Sequence, residues 1–289
     1  MAPLEFLVPY SLEEAIELLD PEDAGVRPVS GGTAIMLMMK AGVLTPSRLV
    51  SLQRIGMQHE QVRVSEAGEL VIGGMTRLAT LEHDAAVRRG WPVLARTMRT
   101  LSSVRVRSVA TVGGALAHAD PHMDLPPVLA ALGARVTVTG PSGERIVAAD
   151  ALATGYYETV LGRDELISAV TVPAQPGPAA YMKVTTRAAH DWPALGLAVV
   201  LTVAEGRIAK ASVVVGAATD RPTRLHAAQL ALEGAAPDDN LLRRAGEAGA
   251  EEIDIIGDAH GTAAYKRQLL RVSLGRAVRT AMAHAGSQP

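Results

Sequence analysis

Apolar residues recur along this chain in two rhythms, one of helices and one of strands. Residues 11–19 read as a helix, with Ser11 and Glu14 supplying the S-x-x-E signature of a helix start. Residues 26–29 form a short apolar strand that ends on Ser30-Gly31-Gly32-Thr33. Residues 34–41, with Met36, Met38 and Met39 along them, read as helix, and 48–52 as a second strand. Strand, glycine loop, helix and strand in that order predict a small parallel α/β layer. A second unit begins near Gln61, with strands at 61–65 and 70–72 about a turn at Gly68 and helices at 80–88 and 92–101. It continues with a strand running into Gly113-Gly114, a helix at 125–132 and strands at 135–139, 144–147 and 165–172. Residues 172–180, rich in Pro and Gly, predict a linker. Beyond it, three antiparallel strands are predicted at 180–187, 195–203 and 207–216, with Glu205-Gly206 turning between the last two. Helices follow at 224–233, 240–250 and 261–285. In the terminal helix Leu270, Leu274, Val278 and Met282 share one face. Lys266, Arg267, Arg271, Arg276 and Arg279 surround it, a charged surface read as solvated, with Arg267 and Arg271 the alternative contacts for an acidic partner.

Composition narrows the functional classes. A chain of 289 residues is long enough for two modest domains. A net charge of −2 offers no basic face to nucleic acid or anionic membrane. There is no cysteine, which removes disulfides, thiolate catalysis and cysteine-ligated iron–sulfur clusters from this chain. If iron–sulfur centres serve its function, another chain carries them. No secretory signal and no apolar run of roughly 18 residues is present, so a cytoplasmic protein without a membrane span is expected. With one Phe, two Trp and five Tyr, a planar cofactor has few aromatic partners to choose from.

The chemistry concentrates at two glycine pairs. Either Gly31-Gly32 or Gly113-Gly114 alone reads as turn chemistry. Two such loops, each a strand end, a Gly-Gly and a small residue, point to a diphosphate, because main-chain N–H groups converge there with no Cβ in the way. Thr33 and Thr111 add hydroxyls. Neither loop matches the G-x-G-x-x-G or P-loop pattern, and no lysine follows at P-loop spacing. Asp124, just before Leu125-Pro126-Pro127, reads either as a helix N-cap or as an acceptor for a sugar or ribityl hydroxyl. His118, Asp120 and His122 in the same stretch read as solvated loop residues rather than metal ligands. Adjacent His190 and Asp191 do not aim at one atom and are not read as a dyad. Trp192, in the polar turn between two strands, reads equally as a loop anchor or as a shield for a flavin ring.

Taken together, these stretches resemble the FAD-binding medium subunit of the molybdenum hydroxylase family, of the carbon monoxide dehydrogenase and bacterial xanthine dehydrogenase type. PVSGGTAIMLMMKAGVLTPSRLVSL is similar to the family's first FAD loop, and VIGGMT to its following strand and turn. SVATVGGALAHADPHMDLPPVLAALGA is similar to its second loop, where T-[IV]-G-G-N leads through a polar segment to D-L-P. AAYMKVTTRAAHDWPALGLAVVL and GTAAYKRQLLRVSLGRAV are similar to its C-terminal domain. The resemblance covers nearly the whole chain. It implies an α+β fold in which residues 1–175 (subdomains about 1–57 and 58–175) form a vanillyl-alcohol-oxidase-like, PCMH-type FAD-binding domain of two α/β subdomains. Residues 176–289 would form a C-terminal domain, a three-stranded antiparallel sheet with helices.

The resemblance also implies a site. Val29, Ser30, Gly31, Gly32, Thr33, Ala34 and Ile35, with Ala110, Thr111, Gly113, Gly114 and Ala115, would hold the diphosphate and neighbouring groups. Asp124 would bind the ribityl chain, Leu166 would approach the ring through its backbone, Lys183 would contact the flavin and Trp192 would lie near the ring. Two departures stand out: Ala115 replaces the family's asparagine, and Ala34 a polar residue. Each removes a side-chain hydrogen bond worth about 0.5–1.5 kcal/mol, so weaker or more exchangeable FAD is expected. Without a thiol or a clear flavinylation histidine, FAD is expected to be non-covalent. No metal site or catalytic residue is assigned to this chain. The implied partners are a small [2Fe-2S] subunit and a large molybdopterin subunit in a dimer of heterotrimers, with an external electron acceptor. Two further readings stay open, a stand-alone FAD oxidoreductase of the same fold superfamily and an assembly subunit with a degenerate flavin site.

Overall fold

The computed structural model describes residues 4–175 and 177–285. Its N-terminal layer contains β1 (Glu5–Leu7), α1 (Leu12–Glu17), β2 (Val26–Val29), α2 (Thr33–Lys40) and β3 (Arg48–Ser51). The three strands are parallel in the order β1-β3-β2. β1 lacks a sequence signal because it is three residues long and two of them face solvent. Ser11 caps α1 through its hydroxyl, which accepts from the Glu14 N–H at 3.1 Å, while the Glu14 carboxylate reaches back to the Tyr10 N–H at 2.7 Å. α1 buries Leu12, Ala15 and Ile16 against Val26, Val50 and Ile55.

The second unit contains β4 (Val62–Val64), β5 (Leu70–Gly73), α3 (Leu78–His83), α4 (Ala85–Gly90), α5 (Pro92–Thr100), α6 (Val104–Arg107), α7 (Val112–His118) and α8 (Leu125–Ala131). β6 (Arg135–Gly140), β7 (Gly143–Ala148), the small pair β8 (Ala153–Gly155) and β9 (Glu158–Thr159), and β10 (Leu166–Val172) follow. Its sheet is antiparallel throughout, in the order β4-β5-β10-β6-β7. The single helix expected over 80–88 is broken at Asp84, whose carboxylate accepts from the N–H groups of Ala86 (2.8 Å) and Val87 (2.9 Å) and so starts α4. A second correction concerns Gly113-Gly114, which lie in the first turn of α7 and not at a strand end. Thr111 is the N-cap, its Oγ1 accepting from the Gly114 N–H at 3.1 Å. The β-branched pair Thr111-Val112 suggests a strand, but a threonine hydroxyl in reach of the third N–H favours a helix start.

The third unit contains β11 (Ala179–Val184), β12 (Leu195–Ala204), β13 (Arg207–Gly216), the two-residue β14 (Thr223–Arg224), α9 (His226–Leu232), α10 (Asp239–Glu251) and α11 (Ala263–Ala285). The three expected strands are antiparallel, and β14 extends them to four. Glu205 and Gly206 both take positive φ (51° and 73°), as a tight hairpin turn requires. Both faces of β12 are covered. Ala198 and Val200 join the core of the second unit, while Leu197, Val199 and Leu201 join the core under α9, α10 and α11. This is why its run is continuously apolar.

α11 buries Leu270, Leu274 and Val278 as its periodicity predicts. Its cations are not all solvated, however. Lys266 is fully buried, and Arg267 donates to the Ala250 carbonyl at 2.6 Å, near the C-terminal end of α10. α10 crosses α11 at Gly246, where a Cβ would sit 2.2 Å from the Arg271 carbonyl oxygen. Gly246→Ala is therefore expected to push the helices apart and destabilise the fold by about 1–3 kcal/mol. Thermal denaturation should show a lower Tm, and an unchanged Tm would contradict the crossing.

Candidate cofactor-binding site

The first glycine loop is built as an open array of donors. Val29 ends β2, its carbonyl accepting from the Leu52 N–H at 2.8 Å. Gly32 then turns the chain with φ 72° and occupies the cap position of α2, where it has no side chain to satisfy the helix start. The first intrahelical bond runs from Met36 N–H to Gly32 carbonyl at 3.0 Å. Among the described residues, no acceptor meets the N–H groups of Gly31, Gly32, Thr33, Ala34 or Ile35, nor the Thr33 hydroxyl. Five orphan donors at the positive end of a helix, with no carboxylate from Val29 to Ile35, form an anion site.

The second glycine pair does something different. The N–H of Val112 donates to Thr76 O (2.9 Å), Gly113 to Gly74 O (2.7 Å), Gly114 to Thr111 Oγ1 and Ala115 to Thr111 O (2.9 Å). These amides are engaged within the chain, so the expectation that Gly113-Gly114 expose donors is corrected. Their missing side chains serve close packing instead. A Cβ on Gly113 would lie 2.8 Å from Gly74 O, and one on Gly114 would lie 2.6 Å from Ser30 Oγ. The two loops thus meet directly, with Ser30 Oγ 2.9 Å from Thr111 Oγ1. A Cβ on Gly31 would lie 2.1 Å from Val109 O and 2.7 Å from the Cα of Ala110. Ala115 is buried in α7, so no polar side chain reaches out from there.

Asp124 takes the cap position of α8, yet its φ and ψ are helical (−77° and −33°) and its side chain makes no capping bond. Its carboxylate, only 3% exposed, accepts from Tyr181 Oη at 2.6 Å and from Lys183 Nζ at 2.8 Å. Lys183 also donates to the Thr100 carbonyl at 3.0 Å, so its charge is matched inside the protein. Burial raises the Asp124 carboxyl above its ordinary range against the pull of Lys183 and Tyr181. Burial, and then the Asp124 charge, pushes the Tyr181 phenol well up. Tyr181 gave no local signal in the sequence. It lies 57 positions from Asp124, and the two meet only because β11 runs past the start of α8.

Leu166 begins β10, pairs with Thr139 and packs in the N-terminal core beside Met75. Farther along this strand, Ser168 O accepts from the Gly74 N–H, which places β10 under the second loop. Trp192 is 56% exposed, its ring 6.1 Å from those of both His122 and His260. His122 and Asp120, expected to be solvated, are not. Asp120 is buried, and His122 lies between Asp120 (Nδ1 to Oδ1, 3.3 Å) and Asp258 (Nε2 to Oδ2, 2.8 Å). Behind Asp258 stands Lys266, whose Nζ reaches Asp258 Oδ2 and the Ala217 carbonyl, both at 2.5 Å.

A glycine-lined array of main-chain donors at a helix start suits a dinucleotide held by its diphosphate. Comparison with known proteins agrees. Residues 2–175 match the family model of the FAD binding domain in molybdopterin dehydrogenase, and residues 180–281 match that of the CO dehydrogenase flavoprotein C-terminal domain. The chain is 33% identical to the carbon monoxide dehydrogenase medium chain of Afipia carboxidovorans, covering 96% of each. It is 31% identical to the nicotine 6-hydroxylase medium subunit of Paenarthrobacter nicotinovorans, covering 95% of this chain and 96% of that one. Among solved structures, carbon monoxide dehydrogenase from Hydrogenophaga pseudoflava superposes with a TM-score of 0.93 at 30% identity, covering 99% of both chains. This chain belongs to the family of FAD-binding medium subunits of the molybdenum hydroxylases, and is an oxidoreductase subunit.

Proposed function

We propose that this chain is the electron-transfer subunit of a molybdenum hydroxylase complex, taking electrons from the [2Fe-2S] clusters of a small partner and passing them to an external acceptor. A large molybdopterin subunit would complete a heterotrimer, two of which pair, in the cytoplasm. The observation that carries this reading is the run of five unpartnered N–H groups at Gly31–Ile35, on a chain with no cysteine to hold a cluster of its own. FAD, when bound, supplies the redox chemistry, and the protein supplies position and access.

Residues 1–175 would be the FAD-binding domain and 176–289 the C-terminal domain, a division supported by family models that stop at 175 and resume at 180. The amides of Gly31 to Ile35 and the Thr33 hydroxyl bind the diphosphate oxygens without a covalent link. Val29 and Ser30 lead into this array. Ala110, Thr111, Gly113, Gly114 and Ala115 form the wall against which it is braced. Asp124, oriented by Tyr181 and Lys183, keeps lone pairs for a ribityl hydroxyl. Leu166 and Trp192 bound the ring's surroundings. An absorption spectrum of the purified complex tests the proposal. Flavin and iron–sulfur bands together are expected. Flavin alone in an active single chain would make this a stand-alone oxidoreductase, and an intact complex lacking flavin would make it an assembly subunit.

The alanines predict a gain as well. Ala34 lies in the first turn of α2 with its own N–H free, so Ala34→Ser adds a hydroxyl beside the donor array. FAD affinity is expected to rise by about 0.5–1.5 kcal/mol, measured by calorimetric titration of the apo-protein. Unchanged affinity would place the diphosphate away from position 34.

A further inference from the structure

The stretch from Asp120 to Asp124 belongs to the second unit in sequence but is held largely by the third. Asp124 bonds to Tyr181 and Lys183 of β11. Pro121 O accepts from the Ala217 N–H at 2.9 Å. His122 Nε2 meets Asp258, in the turn before α11. Lys266, from α11, bonds both Asp258 and the Ala217 carbonyl. Ala217 itself takes φ 63°, a conformation alanine adopts only when its surroundings impose it.

We propose that His122 is a positioning residue: as an imidazolium bridging Asp120 and Asp258, it ties the segment carrying Asp124 to the C-terminal unit and thereby sets the affinity for FAD. The inference rests on the reading of Asp124 and the first loop as an FAD site. Hydrogen bonding supplies the main argument. A neutral imidazole has one N–H, and only the cation donates from both nitrogens. Here each ring nitrogen faces a carboxylate, and a neutral ring would leave one lone pair pointing at an anion.

Charge supplies the second argument. Around His122 stand Asp120 on its own segment, Asp258 and His260 on the turn, Lys266 on α11 and Trp192 on the connection between β11 and β12. His118 and Tyr157 flank Asp120 from behind. With His122 charged, two carboxylates face two cations. With it neutral, the junction holds one uncompensated negative charge in a partly buried place. Burial opposes the imidazolium, but the hydrogen bonds and charges of Asp120 and Asp258 outweigh it, so the proton is held above the ordinary 6.5. Burial works against the Asp258 carboxylate, but the hydrogen bond from Lys266, and after it that from His122, lowers its pKa to about 2. Because the folded-state value of His122 is raised, its stabilisation is fully present below 6.5 and is lost as pH rises through that higher value.

The test uses the full chain and FAD itself. Affinity is measured by calorimetric titration from pH 6.5 upward, together with NMR titration of the labelled histidines. In the wild type, FAD affinity should fall by about tenfold as His122 deprotonates, a loss of about 1.4 kcal/mol. The NMR titration should give His122 a pKa above 6.5. His122→Gln donates through one group and carries no charge, so it should bind FAD weakly and with a flat pH profile. His122→Arg, which keeps the cation, should restore low-pH affinity without the alkaline fall. A wild-type affinity that is level across the transition, or a His122 pKa at or below 6.5, overturns the proposal even if a variant fails to fold. Wild type that binds FAD at no pH overturns the FAD reading and this inference with it.

Discussion

A Gly31→Ala chain is expected to leave purification with little FAD. The new Cβ would fall 2.1 Å from the Val109 carbonyl oxygen, a backbone atom that cannot swing aside, so the first loop must lift away from the second. The amides of Gly31 to Ile35 then lose their common direction. A hydrogen bond to a charged group is worth about 1.5–3 kcal/mol, so losing one from this array weakens FAD binding by about ten- to a hundredfold. Gly32→Ala is the informative contrast. Its Cβ would meet nothing nearer than Met36 Cγ at 3.5 Å, but its φ of 72° suits glycine. That variant carries a local strain of about 1–2 kcal/mol without separating the loops, and should retain more FAD. Flavin absorbance per chain, measured on both soluble variants, checks the order. Full flavin in Gly31→Ala would remove this loop from the site.

The second large effect is expected at Asp124. Asp124→Ala leaves Lys183 Nζ buried with only the Thr100 carbonyl as partner, and Tyr181 Oη without its acceptor. Removing one member of a buried ion pair costs about 3–5 kcal/mol, and FAD content should fall with stability. Loss of a helix cap does not contribute, because the carboxylate makes no capping bond. Pairing Asp124→Asn with Lys183→Met removes both charges and should recover much of the stability, but not the FAD affinity. Denaturant titrations in a double-mutant cycle separate the two. If the double variant is as unstable as Asp124→Ala, the buried pair is not the source of the loss.

The first glycine loop was legible locally because its parts are local. Gly32 is needed where a strand turns into a helix within a few residues, and the absence of a capping side chain can be read from Ser30 to Ile35 alone. The second glycine pair was misread for a physical reason. Whether an N–H is offered to a ligand depends on what else is near it, and the acceptors of Val112 and Gly113 are Thr76 and Gly74, more than thirty positions away. The partners of Asp124 and His122 are farther still, on β11 and on the turn before α11. Histidine and aspartate in a polar stretch look solvated until a second unit covers them.

By itself, the sequence determined the helix start at Ser11, the hairpin at Glu205-Gly206 and the core face of α11. Each of these follows from side chains competing for backbone groups, or from apolar spacing, within a few turns of chain. Tertiary structure alone decided that β1 pairs with β3 and that Arg267 turns back to Ala250. Lys266 shows where the two levels meet. It stands one helical turn before Leu270, in line with Leu274 and Val278, so the helical period assigns it to the buried face while its charge assigns it to water. Burial prevails because Asp258 and the Ala217 carbonyl are brought to its ammonium group by other parts of the chain, and a buried cation is tolerated only when such partners are in place.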